Sequence, residues 1–270
     1  MKRFFSTIAV VASSALALAA CSGGGGGGTT ESGVDLVKEG KLTLCSDIPY
    51  EPFEYVNDQN ETVGFDIDLS KKLAERLGVE LDVKTTPFEG IQSGSSLDTG
   101  QCDIALSGMA ITDERKSKMD FSMMYLKDNL ALMAAKDSGY KSIDDVKDKK
   151  VGVQAATTGE TYAKDKGISP VQYETGGMMT QALMAGKVDA AVGNISVISA
   201  ATKADDKLEL VETYDTGEQL GAAAKKDNTK LTEEFNAMLK EMTESGEYTE
   251  LIKQWFGEKV ADSLSVAKDS

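Results

Sequence analysis

Arg115 is the residue whose type and place most invite a chemical reading. It follows Thr112, Asp113 and Glu114, where Thr112 suits a helix N-cap and the two acids suit the positive end of a helix dipole. A cation in that first turn opposes the dipole, and a guanidinium fork is shaped for a carboxylate. Local pairing with Asp113 or Glu114 at the surface is the other reading. Thr157 and Thr158 stand after Val151-Gly152-Val153, where a helix begins; they offer hydroxyls and free backbone N–H groups to an anion, or they simply cap the helix. Tyr50 and Phe88 each follow an apolar segment, and their faces could sandwich a ligand or cover its charged end, with ordinary packing as the alternative. Histidine is absent from the 270 residues, so Ser-His-Asp, Cys-His and His-ligated zinc chemistries are excluded. Asp47 and Glu89 remain as candidates for acid–base work, and neither has a partnered constellation. No catalytic residue, metal site or cofactor is expected.

The elements that must position these residues follow from hydrophobic spacing. Lys41 to Cys45 reads as a short buried strand. Phe65, Leu69, Leu73 and Leu77 recur every fourth residue before Gly78, which predicts a helix and its C-cap. Val79, Leu81 and Val83 then alternate as a strand does, giving a βαβ unit and a parallel sheet. A helix near Gly90 to Leu97 leads into a strand over Asp103 to Leu106. The pattern restarts with a strand over Val151 to Gln154, helices near Gly159 to Lys166 and Met178 to Ala185, and a strand over Val188 to Val192, which implies two α/β domains. Gly100-Gln101-Cys102-Asp103-Ile104-Ala105-Leu106 echoes Gly186-Lys187-Val188-Asp189-Ala190-Ala191-Val192, each with Gly at a helix end and Asp at a strand start. Leu231, Phe235, Met238, Leu239 and Met242 form a last helical stripe, followed by Leu251, Ile252, Trp255 and Phe256, all read as core. Parallel sheets bind ligands beyond the carboxyl ends of their strands. The segments to watch are therefore Ser46 to Phe53, Ser107 to Arg115, Gln154 to Thr158, and Gly193-Asn194.

The ends speak to location. Lys2 and Arg3 precede an apolar run from Phe4 to Ala20 that stops at Leu18-Ala19-Ala20-Cys21, a secretory signal with a lipobox, too short for a spanning helix of ~20 apolar residues. Residues 1–20 are expected to be removed and Cys21 to be lipidated, so that an acyl anchor holds the protein to the membrane. Six glycines and a polar stretch to Gly33 make 21–33 a tether. The formal charge of −15 becomes −15 − 2 = −17 once Lys2 and Arg3 are removed, which argues against nucleic acid as a partner. Cys45 and Cys102 either pair in an oxidising compartment or remain buried thiols. The tail 259–270 is polar enough to fray.

Together these segments resemble the family 3 extracellular solute-binding proteins, the polar amino-acid receptors of bacterial ABC importers. The matching stretches are Ser46-Asp47 through Pro52-Phe53-Glu54, Gly64-Phe65-Asp66-Ile67-Asp68-Leu69, Ser107-Gly108-Met109 with Ile111 to Arg115, Asp120-Phe121-Ser122, Thr157-Thr158-Gly159-Glu160, and Trp255-Phe256-Gly257. The resemblance implies the two-lobed periplasmic-binding-protein type II fold, with mostly parallel sheets flanked by helices. It places lobe 1 at 34–127 plus 221–258 and lobe 2 at 128–220, with crossover strands near Leu126 to Leu130 and Glu218 to Ala222. It implies a cleft in which Arg115 grips a ligand α-carboxylate with backbone N–H groups of Ala110 and Thr158, Asp47 meets the ligand side chain, and Tyr50 and Phe88 sandwich it. Ser107, Gly108, Gln154, Thr157 and Asn194 complete the expected site. The partners implied are a small amino acid and an ABC permease. Two departures stand out: Ala110 replaces a usual threonine, and Asn194 replaces a usual aspartate for the α-ammonium. Either the correspondence slips locally, or the ammonium is held by neutral acceptors, or the ligand has no free α-ammonium. Asp47 favours a neutral-amide or basic side chain over an acidic one. A dehydratase-like enzyme on the same fold is the competing class.

Overall fold

The computed structural model describes residues 27–258. The signal expected over 1–20, the expected lipidation site Cys21 and the tail expected over 259–270 lie outside the described residues. Two five-stranded sheets organise the chain. The first is built from β1 (Lys41–Ser46), β2 (Glu80–Thr85), β3 (Ile104–Ala105) and β4 (Met119–Phe121), with α1 (Phe65–Leu77), α2 (Phe88–Gln92), α3 (Ser95–Asp98) and α4 (Asp113–Lys116) between them. The chain then crosses through β5 (Leu126–Lys127) into β6 (Leu130–Ala135). The second sheet continues with β7 (Val151–Gln154), α5 (Thr158–Asp165), β8 (Val171–Tyr173), α6 (Gly176–Met184), β9 (Ala190–Asn194), α7 (Ile195–Ala204) and β10 (Leu208–Tyr214). It returns through β11 (Gln219–Leu220) to β12 (Ala223–Lys225), and ends on α8 (Thr229–Ser245) and α9 (Glu247–Phe256).

The sheets share one topology. The first runs β2-β1-β3-β12-β4 and the second β8-β7-β9-β6-β10. Each has four strands pointing one way and one reversed, and the reversed strand is the one entered directly after a crossing. The crossings β5 and β11 pair antiparallel, Leu126 with Leu220 and Lys127 with Gln219. Central strands need apolar side chains on both faces. β1 and β6 meet that need, with five of six residues of each buried.

The internal echo falls on equivalent strands, β3 and β9, and it has a physical reason. Gly100 and Gly186 both take a left-handed φ, +69° and +64°. Asp103 accepts the N–H groups of Val37 and Thr43 at 2.6 and 2.7 Å, and Asp189 accepts that of Lys150 at 2.9 Å. Each aspartate ties off the start of the neighbouring parallel strand, β1 for Asp103 and β7 for Asp189.

Where local signals are strong, the expected elements appear. α1 ends at Gly78 with φ +68°, which supplies the left-handed C-cap. Its buried face carries Phe65, Leu69, Leu73 and Leu77, while α8 buries Leu231, Phe235, Met238, Leu239 and Met242 against the same core. The helix expected over Gly90 to Leu97 is instead two short ones, α2 and α3, broken at Gly94 (φ +80°). Ordered pairing also begins before Val34: Gly28–Thr29 lies antiparallel to Asp35–Leu36, within the segment read as tether. Cys45 and Cys102 are disulfide-bonded across 57 residues. The bond lies in the apolar layer of Phe88, Ile91, Leu97 and Met109, which leaves the free-thiol reading without support.

Candidate functional site

The carboxyl ends of β1, β3, β7 and β9 converge between the two sheets. Asp47, Tyr50, Phe88, Ser107, Gly108, Ala110, Arg115, Gln154, Thr157, Thr158 and Asn194 line one narrow cavity there. Every ligand-binding residue expected from the sequence is brought to this place. Glu89 is not: it is exposed in the first turn of α2, outside the cavity lining. That removes it as a candidate acid or base.

Arg115 is held by its neighbours but not neutralised by them. Thr112 caps α4 by accepting the Arg115 N–H, as its type predicts. Arg115 as a whole is 4% exposed. Its Nη1 donates to the Ala110 carbonyl at 2.8 Å and its Nη2 to the Ala156 carbonyl at 3.2 Å, the second bond crossing to the other sheet. The guanidinium carbon lies 5.2 Å from the Phe88 ring centroid, within cation–π range. Among the described residues Arg115 forms no ion pair; Glu114 pairs with Lys118 instead. Burial pushes the Arg115 pKa down to about 10, opposed by the nearby charges of Glu218 and Glu114. A buried cation with only carbonyl partners is an incomplete arrangement that an anionic ligand group completes.

Asp47 closes the far side. It is 2% exposed, and its Oδ2 accepts Gln154 Nε2 at 2.5 Å, again across the sheets. Burial raises its pKa to about 6, the Gln154 bond lowers it and the charge of Glu174 raises it. A primary amide on Asp47 displays the chemistry that this carboxyl accepts, a neutral or cationic N–H donor. Tyr50 spans the interface as well: its hydroxyl donates to Asn194 Oδ1 at 2.8 Å, while Asn194 Nδ2 is buried without a hydrogen-bond partner. Thr157 caps α5 by accepting the Glu160 N–H. Thr158 opens the helix, with its hydroxyl donating to Glu218 at 3.0 Å.

Three contributors had no clear mark in the sequence. Glu218, beside the crossing strand β11, reaches Thr158 and acts on Arg115. Burial raises its carboxyl above the usual range. Gly176 lets α6 approach Tyr50, since a Cβ there would sit 2.9 Å from Tyr50 Cδ2. Ala156 adopts φ +63° and turns its carbonyl to Arg115. The signal available for Glu218 was its adjacency to a crossover; for Gly176 and Ala156 only the tertiary approach gives a reason.

The family model of the bacterial extracellular solute-binding proteins, family 3, matches residues 42–258. The chain belongs to that family. The solute-binding protein is 36% identical over 238 residues to the arginine-binding extracellular protein ArtP of Bacillus subtilis (strain 168), covering 86% of this chain and 92% of the relative. Among solved structures it is similar to an ancestral arginine-binding protein bound to arginine, with TM-score 0.75, 36% identity, and 81% of this chain and 99% of that chain covered. The ancestral arginine-binding protein bound to glutamine gives TM-score 0.76 and 35% identity, with the same coverage. The family match spans both sheets and every residue that lines the cavity between them. No metal-holding group of three or more His, Cys, Asp or Glu side chains occurs among the described residues.

Proposed function

We propose that this solute-binding protein captures a free amino acid with a basic or neutral-amide side chain and presents it to an ABC permease. The observation that carries the proposal is Arg115, a buried guanidinium without an ion pair at the centre of a polar cavity. In this reading Arg115 takes the α-carboxylate, with the N–H groups of Ala110 and Thr158. Asp47 takes the side-chain cation or amide, and Tyr50 and Phe88 flank the ligand. Gln154 Nε2 on Asp47 supports the side-chain assignment, and the arginine and glutamine named in the similar structures fall in the same two ligand classes. Lobe 1 is 34–127 plus 221–258 and lobe 2 is 128–220; the support is that the two sheets draw their strands from those ranges.

The test of binding against catalysis is incubation with L-arginine or L-glutamine followed by mass analysis: the bound compound is recovered unchanged. Turnover would move the protein to the dehydratase-like class, in which Asp47 is the acidic group that the cavity offers.

A second reading, a carboxylate ligand without a free α-ammonium, is favoured by one observation. With Tyr50 donating to Asn194 Oδ1, the amide keeps a donor, Nδ2, that completes no hydrogen bond, with the Glu218 carboxyl as a neighbouring acceptor. A ligand acceptor suits Nδ2, whereas an ammonium would have to share Oδ1 with the Tyr50 hydroxyl. Asn194→Asp decides between the two. For an α-ammonium ligand, a neutral hydrogen bond worth roughly 0.5–1.5 kcal/mol becomes a charge-assisted one nearer 1.5–3, so affinity for the natural ligand rises about five- to thirty-fold. Without an ammonium the new carboxylate is unpaired and affinity falls. Unchanged affinity in calorimetry would remove residue 194 from the site.

The lipobox supports attachment of the protein outside the cytoplasm through an acyl chain on Cys21, after removal of the signal peptide. No helix among the described residues is long and apolar enough to cross a membrane. Cys21→Ser is expected to shift the protein from the membrane fraction to the soluble one. Membrane retention of that variant would refute the anchor.

A further inference from the structure

Two of the stretches that carry the family resemblance contain acids with no place in the ligand site, Glu54 after Pro52-Phe53 and Asp66 within Gly64 to Leu69. Both are fully buried beneath the loop Ser107–Ala110. Ser107 donates its hydroxyl to Glu54 Oε1 at 2.5 Å and accepts the Asp47 N–H at 3.1 Å. Asp66 Oδ2 accepts the Gly108 N–H at 2.8 Å and the Tyr125 hydroxyl at 2.9 Å. Gly108 has φ +51°, and a Cβ there would lie 2.9 Å from Tyr50 Cε1. The loop is therefore fixed by Asp66 on one side and confined by Tyr50 on the other. Each acid keeps one oxygen, Glu54 Oε2 and Asp66 Oδ1, buried without a partner. The groups that face the pair are Asp47, Ser46, Ser107, Tyr50, Tyr125 and the Gly108 N–H. No ion pair reaches either carboxyl among the described residues. Two buried like charges without a cation do not both persist, so the pair retains a proton.

We propose that Glu54 and Asp66 are positioning residues that retain a proton between the two sites and hold Ser107, Gly108 and the Asp47 backbone in the binding geometry without touching the ligand. Burial supports the assignment: it pushes Asp66 up to about 7 and Glu54, which also feels Asp66, well above the ordinary carboxylate range. The sign follows from linkage. Carboxyls whose pKa is raised in the folded state favour that state while protonated, and the benefit is lost as pH rises through the raised pKa. The loop and the affinity it supports therefore weaken on the alkaline side.

The first test needs no ligand. In an NMR titration of the full mature protein, the Gly108 amide resonance is expected to show an inflection above pH 6. Asp66→Asn is expected to move the inflection of the amide of Ser107, whose hydroxyl donates to Glu54, down by at least one pH unit, because Glu54 loses its like-charged neighbour. The same Ser107 inflection in both proteins, or no Gly108 inflection between pH 4 and 10 in the wild type, would overturn the proposal. The second test, calorimetry with L-arginine, rests on the amino-acid reading above. Glu54→Leu, which deprives Ser107 of its acceptor, should weaken binding at least tenfold, with Glu54→Gln restoring most of it. Wild-type affinity in Glu54→Leu would overturn the positioning role. Failure of the wild-type protein to bind L-arginine would count against the ligand reading, and the Gly108 and Ser107 titrations would then decide the role of the two acids by themselves.

Discussion

Arg115→Ala is expected to weaken binding of the amino-acid ligand by roughly 150- to 5,000-fold, the equivalent of about 3–5 kcal/mol for leaving one partner of a buried charge pair uncompensated. The position of the guanidinium sets the size of the effect. Two carbonyls and an aromatic ring orient it, yet no carboxylate forms an ion pair with it among the described residues. The ligand-free protein thus carries the cost of burying the charge, and the ligand carboxylate supplies the return. A purely structural arginine would behave differently, because its removal would lower the stability of the ligand-free protein as much as its affinity. Here the ligand-free thermal midpoint should hold or rise while calorimetric affinity collapses. Arg115→Lys should fall between the two, keeping the charge but losing the fork that reaches Ala110 and Ala156 together. Affinity of the alanine variant equal to that of the wild type would leave Arg115 a packing residue.

Reduction of the Cys45–Cys102 bond is expected to cost about 4 kcal/mol of stability, from the loop-closure entropy of the 57-residue separation. The loop it closes contains Asp47, Tyr50 and Phe88, and the bond ties the end of β1 to the approach to β3. The effect should appear as a lower urea midpoint in the presence of reductant, and equally in the Cys45→Ala/Cys102→Ala protein. Coincident unfolding curves with and without reductant would show that the apolar layer around Phe88 and Met109 holds these strands without the bond.

Much of the fold is legible in the sequence because its signals are local. The four-residue spacing from Phe65 to Leu77 and the glycine after it dictate a helix and its stop. The apolar runs at Lys41–Cys45 and Val151–Gln154 dictate central strands. The echo between residues 100–106 and 186–192 is legible for a deeper reason, since each aspartate satisfies backbone N–H groups at the same corner of the same topology. The site is legible in outline because ligands gather at strand ends, and the resemblance selects which strand ends matter. What the sequence hides depends on approach between distant segments. Gly94, a lone glycine in an apolar pattern, gives no warning that it splits a helix in two. Whether Arg115 pairs with Glu114 or turns inward is decided by the carbonyls of Ala110 and Ala156, the latter 41 residues away. Glu218 joins the site only because the second crossing brings it beside Thr158. The disulfide needed the distance between two strands that spacing alone does not supply.

The central claim is that a buried guanidinium awaits the carboxylate of a free amino acid, and a thermal-shift comparison of amino acids with their decarboxylated amines tests it most directly. Bound ligand stabilises by mass action, about 2.7 kcal/mol at a hundred times its Kd. At least one amino acid with a basic or amide side chain should raise the midpoint by several degrees, and its amine, which keeps the side chain and lacks the carboxylate, should leave the midpoint where it was. An equal shift from the amine, or no shift from any amino acid in the panel, would contradict the account.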